Sequence, residues 1–103
     1  MITNQKIQKT IDEINAITSV DMALFTSRGK CVAFTENADK NIIDKIFMFI
    51  QMLDDDMLDE DTRLFKIEVD GDVEYILSFE NTTDEGLMIG RMAACQVKNL
   101  LVN

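Results

Sequence analysis

The 103-residue sequence contains no histidine, no proline and no tryptophan. Without histidine, the chain lacks the commonest general base and metal ligand, and Cys31 and Cys95 have no histidine with which to form a nucleophilic pair. Glycine is also scarce: the four glycines, at positions 29, 71, 86 and 90, never cluster into a phosphate-binding loop. We therefore expect a protein that is not an enzyme, has no catalytic residues and carries no cofactor.

Cysteines and long apolar runs, which bear on cellular location, are also few. Cys31 and Cys95 lie in apolar sequence contexts, with no metal-ligand spacing between them. Since the sequence shows no signal peptide, we expect reduced thiols and a cytoplasmic protein. No apolar run approaches the roughly 18 residues that span a bilayer, so no membrane contact is expected.

Basic residues are outnumbered. Ten lysines and arginines stand against nineteen aspartates and glutamates, which gives a formal net charge of −9. A surface of this sign repels nucleic-acid phosphates and anionic lipids. We therefore do not expect these residues to bind DNA or RNA directly.

The residues that are present describe one globular domain. The chain is 47% hydrophobic and 28% charged, a mixture that can bury a core. The last predicted helix ends on Leu100, Leu101 and Val102, followed by Asn103 and no glycine that would close it. We expect residues 1–103 to form a single regulatory or sensory domain, the N-terminal fragment of a longer protein.

The N-terminal third predicts a helix and a hairpin. Thr3 or Asn4 can cap a helix that ends near Ile17, with its apolar stripe at Ile7, Ile11, Ile14 and Ile17. Strands 20–26 and 31–35 follow, joined by a three-residue turn with Gly29 in the left-handed conformation. The predicted register pairs Met22 with Phe34, Ala23 with Ala33, Leu24 with Val32, and Phe25 with Cys31. Because both faces are apolar, we expect a central hairpin that is covered on both sides.

A second helix is predicted from about Ala38 to Leu53, capped by Asn37 or Asp39. Its stripe of Ile42, Ile46, Phe49, Ile50 and Leu53 is widened by Ile43 and Phe47 beyond what one sheet face needs. This helix is therefore expected either to be deeply buried or to meet a second subunit. The acidic stretch 54–61 that follows is predicted to be a loop.

The last third predicts a second hairpin and a closing helix. Strands 63–69 and 73–79 flank Asp70-Gly71-Asp72, and pattern consistency favours a three-residue turn that pairs Val69 with Val73. The same register pairs Ile67 with Tyr75 and Phe65 with Leu77. Lys66, Glu68, Glu74 and Ser78 are predicted to show the other face to water. The last helix is predicted to begin near Asp84.

The resulting order is α-β-β-α-β-β-α, an α+β fold with a mostly antiparallel sheet packed with helices. Profilin-like, roadblock-like and PAS- or GAF-like sensor modules share this arrangement. Fold-level analogy does not choose a function among them.

Two stretches could bind a ligand. The carboxylates of 54–61 are of the kind that Ca²⁺ prefers, but their spacing is not that of an EF-hand, and a solvated loop is the favoured interpretation. Arg91, two turns inside the last helix, could hold a small carboxylate with the Tyr75 hydroxyl. The favoured alternative is that Arg91 pairs with a surface acid. No metal site is predicted.

Two segments resemble a known family: IDEINAITSVDMALFTSRGKCVAFTE and the stretch from FKIEVDGDVEYILSFE to MIGRMAACQVKNLLV. They are similar to the N-terminal region of carbohydrate-diacid-regulator-like (PucR/CdaR-type) helix-turn-helix transcription regulators. The resemblance covers nearly the whole chain, and its most recognisable parts are Glu13-Ile14-Asn15, Glu74-Tyr75-Ile76-Leu77 and Met88-Ile89-Gly90-Arg91.

The resemblance implies a sensory module attached to a separate DNA-binding domain, with a sugar acid or other small carboxylate as effector. We therefore expect a non-catalytic regulatory module of a bacterial transcription regulator that senses an effector and forms a homodimer. DNA would be contacted only through a C-terminal domain outside these residues. The alternative is a roadblock-like protein-protein interaction scaffold without a small-molecule ligand.

Overall fold

The computed structural model describes residues 3–81 and 83–102, which form three helices and five strands of an α+β fold. Asn103, which the sequence places after the last helix, lies outside the described residues. The elements, in chain order, are α1 (Asn4–Thr18), β1 (Met22–Thr26), β2 (Cys31–Phe34), α2 (Ile43–Ile50), β3 (Asp56–Asp59), β4 (Thr62–Val69), β5 (Asp72–Phe79) and α3 (Asp84–Val102).

The strands form one antiparallel sheet in the order β2-β1-β5-β4-β3. One face packs against α1 and α3, around Ile11, Leu24, Leu77 and Val97. The other face packs against α2 and the segment before it, around Phe25, Ile46, Phe49, Leu64 and Ile76. The fold therefore has three layers, with a separate apolar core on each side of the sheet.

Local sequence signals explain both helices of the first layer. The Thr3 hydroxyl accepts a hydrogen bond from the Lys6 N–H and caps α1, as predicted. The Thr83 hydroxyl accepts from the Gly86 N–H at the start of α3, which begins at Asp84 as expected. The predicted α1 stripe is wrong at one position, because Ile17 is 84% exposed whereas Ile7 and Ile11 are buried.

The first hairpin has the predicted turn but a different register. Gly29 has φ +86°, as a left-handed turn residue should, and Phe25 pairs with Cys31. A bulge beyond this pair shifts the register by one residue, so Ala23 opposes Phe34 and Leu24 opposes Ala33. The prediction of a central hairpin is wrong for β2, which is an edge strand, while β1 lies inside the sheet between β2 and β5.

The second hairpin corrects the predicted turn while keeping most of the predicted pairs. Asp70 and Gly71 both have positive φ, and Val69 pairs with Asp72, so the turn has two residues and not three. A bulge next to Ile67 then restores the predicted pairing of Ile67 with Tyr75 and Phe65 with Leu77. The residue absorbed by the bulge is what a pattern of alternating side chains does not reveal.

The opposite face of this hairpin is less exposed than predicted. Ser78 is buried there beside Leu64 and Ile76. Lys66 lies with its amine 4.8 Å from the centre of the Phe49 ring and donates a hydrogen bond to the Met52 carbonyl. This face is less exposed than predicted because α2 covers this end of it.

Three further predictions about the middle of the chain are wrong. The second helix is only eight residues long, because residues 38–42 are held in an irregular segment in which the Asp39 N–H donates to Glu80 and the Asn41 N–H donates to Asp39. Leu53, expected on the buried stripe, is 100% exposed. The acidic stretch 54–61 contains β3, a short edge strand, and is not wholly a loop.

Candidate protein interaction surface

The short helix α2 is apolar on both of its sides. Ile42, Ile46 and Phe49 are buried against the sheet, as the sequence predicts. Three large apolar side chains nevertheless point away from that core: Ile43, Phe47 and Met48 are 47%, 44% and 52% exposed. We call these three side chains the outer α2 face. Contiguous exposed apolar side chains are typical of binding surfaces, so this face is a candidate contact for a partner.

The outer α2 face is supported from below by the first hairpin turn. A Cβ atom on Gly29 would lie 2.8 Å from Cγ1 of Ile43 and 3.4 Å from Cε1 of Phe47. Glycine at this position therefore allows the turn to approach α2 closely while adopting its positive φ. The turn therefore packs directly against the side chains of Ile43 and Phe47.

Strand β3 is linked to α2 by a lysine. The Lys45 ammonium lies 3.3 Å from a carboxylate oxygen of Asp59 and 3.9 Å from one of Glu60. Desolvation opposes the charged amine, but the hydrogen bond to Asp59 and the charges of Asp59, Glu60 and Asp61 outweigh it and raise the pKa of Lys45. These ion pairs connect the hairpin of β3 and β4 to α2.

The outer edge of β3 is open among the described residues. β3 pairs only with β4, and the Lys66 N–H donates to the Asp55 carbonyl. Because hydrogen-bonded pairs alternate along an antiparallel ladder, the backbone groups of Asp56 and Leu58 point outward. Leu58 also exposes 49% of its surface, so this edge offers both backbone groups and an apolar side chain.

The opposite edge of the sheet is closed. The side-chain amide of Gln8 on α1 donates to the Phe34 carbonyl at 2.7 Å and accepts from the Phe34 N–H at 3.1 Å. A single side chain thereby satisfies both outward backbone groups of Phe34, which an additional strand would otherwise pair. No sequence signal marked this contact, because Gln8 reads as an ordinary polar residue on the solvent face of α1.

An open groove lies on the other side of the sheet, between α1 and α3, with a volume of about 660 Å³. Its wall is mostly apolar, with Thr10, Thr18 and Gln96 as neutral polar groups and Glu13 as the only charged one. Drug-sized molecules occupy clefts of comparable volume, although usually more enclosed ones.

The two candidate ligand residues occupy different surroundings. Arg91 lies 3.3 Å from Asp56 and is largely exposed, as the ion-pair alternative expects. Tyr75 is half-buried on β5 and packs against the core shared by α1 and α3. The groove on α3 that includes Arg91 is also lined by Asp84, Met88 and Cys95, but not by Tyr75. Ligand binding by this pair stays a prediction.

The pKa of one carboxyl group, that of Glu80, is raised, and the described acidic residues form no metal-binding cluster. In the described ranges, no group of three or more acidic or cysteine side chains could hold a metal ion. Desolvation, together with the charges of Asp21, Asp39 and Asp61, raises the pKa of Glu80 although its carboxylate accepts the Asp39 N–H. Burial likewise raises the pKa of the Cys31 thiol, which makes it a poor nucleophile.

Among the described helices, none combines the length and the hydropathy that crossing a membrane requires. No protein family model matches the chain, and no curated protein matches it.

Proposed function

We propose that the chain is a non-catalytic protein-protein interaction module of the roadblock-like kind, which forms a homodimer through the outer α2 face. The observation that carries this proposal is an eight-residue helix with apolar side chains on the side facing away from its own sheet. Because Ile43, Phe47 and Met48 are already about half-buried, covering them would contribute about half of the roughly 1.5–3 kcal/mol that burial of a fully exposed side chain gives. The reduced thiols fit a cytoplasmic setting.

A second copy of the chain is a suitable occupant of this surface because α2 itself is electrically neutral. Asp44 and Lys45 are its only charged residues, and they have opposite signs. Two copies of α2 can therefore meet about a twofold axis without net repulsion between the helices. All other acidic residues lie outside α2, and Asp59 and Glu60 approach it only at Lys45.

The matched variants Met48→Ser and Met92→Ser test this proposal. Both methionines are exposed on a helix, at 52% and 66%, but they lie on opposite sides of the sheet. We expect sedimentation equilibrium to show a dimer for the unaltered chain and for Met92→Ser. Met48→Ser should weaken the dimer about tenfold or more, the effect of losing one central apolar contact.

Two results would contradict the homodimer through α2. If the unaltered chain stays monomeric at millimolar concentration, a second copy does not occupy the outer α2 face. A dimer that is dissociated by Met92→Ser and not by Met48→Ser would place the contact on the α1 and α3 side. Circular dichroism of each variant controls for folding.

A second candidate function is the effector-sensing and dimerising module of a bacterial transcription regulator. The open groove between α1 and α3 favours it, because the groove combines an apolar wall with a few polar groups. A sugar acid or another small carboxylate would be the effector, and DNA would be contacted through a separate domain. Arg91 and Tyr75 remain its candidate ligand residues, although neither lines this groove, so a carboxylate held by them would bind outside it.

Thermal unfolding with and without D-glucarate and related dicarboxylates tests this second function. A ligand that binds only the folded state raises the midpoint by mass action, and Arg91→Ala together with Tyr75→Phe should abolish that rise. Lys98→Ala is the matched control, since Lys98 is a basic residue on the same helix. No rise with any dicarboxylate would leave the interaction module as the function.

A further inference from the structure

The two edges of the sheet are treated differently by the chain. The β2 edge is closed by Gln8, whereas the β3 edge leaves the outward backbone groups of Asp56 and Leu58 without a strand partner among the described residues. An open edge can accept an additional strand, which binds through its main chain. The question is what kind of strand fits.

The surroundings of the β3 edge are strongly acidic. Six of the eight residues from 54 to 61 are acidic: Asp54, Asp55, Asp56, Asp59, Glu60 and Asp61. Arg91 pairs with one of them, and Lys45 pairs with two. The ion pairs with Lys45 and Arg91 leave out Asp54, Asp55 and Asp61, although the charge of Asp61 still acts on Lys45. The six carboxylates therefore outnumber the two basic side chains that pair with them.

A second copy of β3 fits this edge poorly. If two sheets join about a twofold axis with their faces continuous, opposing residues must lie on the same face. The register centred on Met57 then places Asp55 opposite Asp59 of the second copy, and does so twice by symmetry. The register centred on Leu58 pairs no like charges within the strand, but it brings Asp56 towards Glu60 in the turn of the second copy, again twice. Like charges directly opposite each other destabilise a strand pair.

We infer that the outer edge of β3 accepts an extended, basic segment of a different protein as a sixth strand of the sheet. Lysine or arginine side chains at alternate positions would neutralise the excess carboxylates, and an apolar residue would cover Leu58. This inference rests on the proposed interaction module and names a second partner for it. The edge lies on a different element from the outer α2 face, to which Lys45 links it.

Binding of two labelled peptides, measured by fluorescence anisotropy, tests the inference. The probes are Lys-Val-Lys-Val-Lys-Val and Glu-Val-Glu-Val-Glu-Val, which share strand propensity and differ in charge. We expect only the lysine peptide to bind, with an affinity that falls as salt rises. Replacing Asp54, Asp55 and Asp61 together by asparagine should weaken that binding by about tenfold.

Leu58→Pro and Leu58→Val separate strand addition from simple charge attraction. Proline removes the outward Leu58 N–H without touching a bond to β4, while valine keeps both the N–H and an apolar side chain. Leu58→Pro should lose at least about tenfold in affinity for the lysine peptide, roughly the effect of one lost main-chain hydrogen bond, and Leu58→Val should bind normally.

Three outcomes would overturn the inference. Equal binding of the lysine peptide to Leu58→Pro and Leu58→Val would show charge attraction without an added strand. Binding of neither peptide would show that the acidic residues only keep the edge unpaired. Loss of the homodimer in Leu58→Pro, but not in Leu58→Val, would make a second β3 the occupant. The Met48→Ser experiment reports on α2 alone, so failure of that proposal is distinguishable from failure of this one.

Discussion

Replacing Gly90 by alanine should destabilise the domain, although alanine is the better helix former. Gly90 lies in α3 where the helix crosses the sheet. A Cβ atom there would be 2.5 Å from both Cε2 and Cζ of Phe65 and 3.2 Å from Cδ2 of Phe79. Ordinary contacts of this kind are 3.4–4 Å, so the helix or the ring must move by about an ångström.

The magnitude follows from two opposing effects. Alanine in place of glycine favours a helix by about 1 kcal/mol. Overpacking a well-filled core costs about 1–3 kcal/mol, and the upper end applies because Phe65 and Phe79 are both almost fully buried. We expect Gly90→Ala to lower the free energy of unfolding by about 1–2 kcal/mol, or the melting temperature by roughly 4–15 °C.

Urea unfolding followed by far-ultraviolet circular dichroism measures this change, since the chain has no tryptophan for fluorescence. Phe65→Leu provides the control, because it removes the ring atoms that meet the new methyl group. The cost of Gly90→Ala should be at least about 1 kcal/mol smaller in the Phe65→Leu background. A Gly90→Ala variant as stable as the unaltered chain, or costs that simply add, would refute the packing argument.

Two further substitutions test contacts described above. Gln8→Ala should lower the free energy of unfolding by about 1–2 kcal/mol and speed hydrogen exchange at the Phe34 amide. The control Gln5→Ala, one turn earlier on α1, should change neither quantity. Slow exchange at the Phe34 amide in Gln8→Ala would contradict the role of Gln8 at this edge. Glu80→Gln should raise stability at pH 7, because the raised pKa of Glu80 means that the folded state binds its proton more tightly than the unfolded state does. Its stabilising protonated form is fully present below the unfolded pKa and is lost as pH rises through the folded pKa, so the advantage of glutamine should vanish in acid. Urea unfolding at pH 4 and pH 7 measures it, with the exposed Glu36→Gln as control for general charge removal, and an equal gain at both pH values would contradict it.

Hairpin existence was predictable from the sequence, whereas hairpin register was only partly so. Alternating apolar residues located β4 and β5, because one-sided burial enforces a period of two. Strands β1 and β2 were located as apolar runs on either side of the Gly29 turn. The bulge next to Leu24 and the bulge next to Ile67 each shift pairing by one residue. A bulge is decided by tertiary packing and leaves no trace in the alternation, so Phe25 with Cys31 was predicted correctly and Met22 with Phe34 was not.

Strand β3 could not be predicted because its stabilising partners are distant in sequence. Aspartate is uncommon in strands, yet Asp56 pairs with Arg91 on α3 and Asp59 pairs with Lys45 on α2. The same limit applies to the candidate surface. The sequence indicated that Ile43 and Phe47 exceed what one sheet face needs, but it gave no sign that Gln8 closes one sheet edge while the other stays open.

The amide of Gln8 has a consequence for assembly beyond its own two hydrogen bonds. A sheet with two unpaired edges can polymerise, because each molecule can add its edge strand to the sheet of the next. Here the amide of Gln8 already occupies the backbone groups of Phe34 on one edge. A strand that adds at Phe34 would first have to displace the Gln8 amide, so growth from this edge is disfavoured.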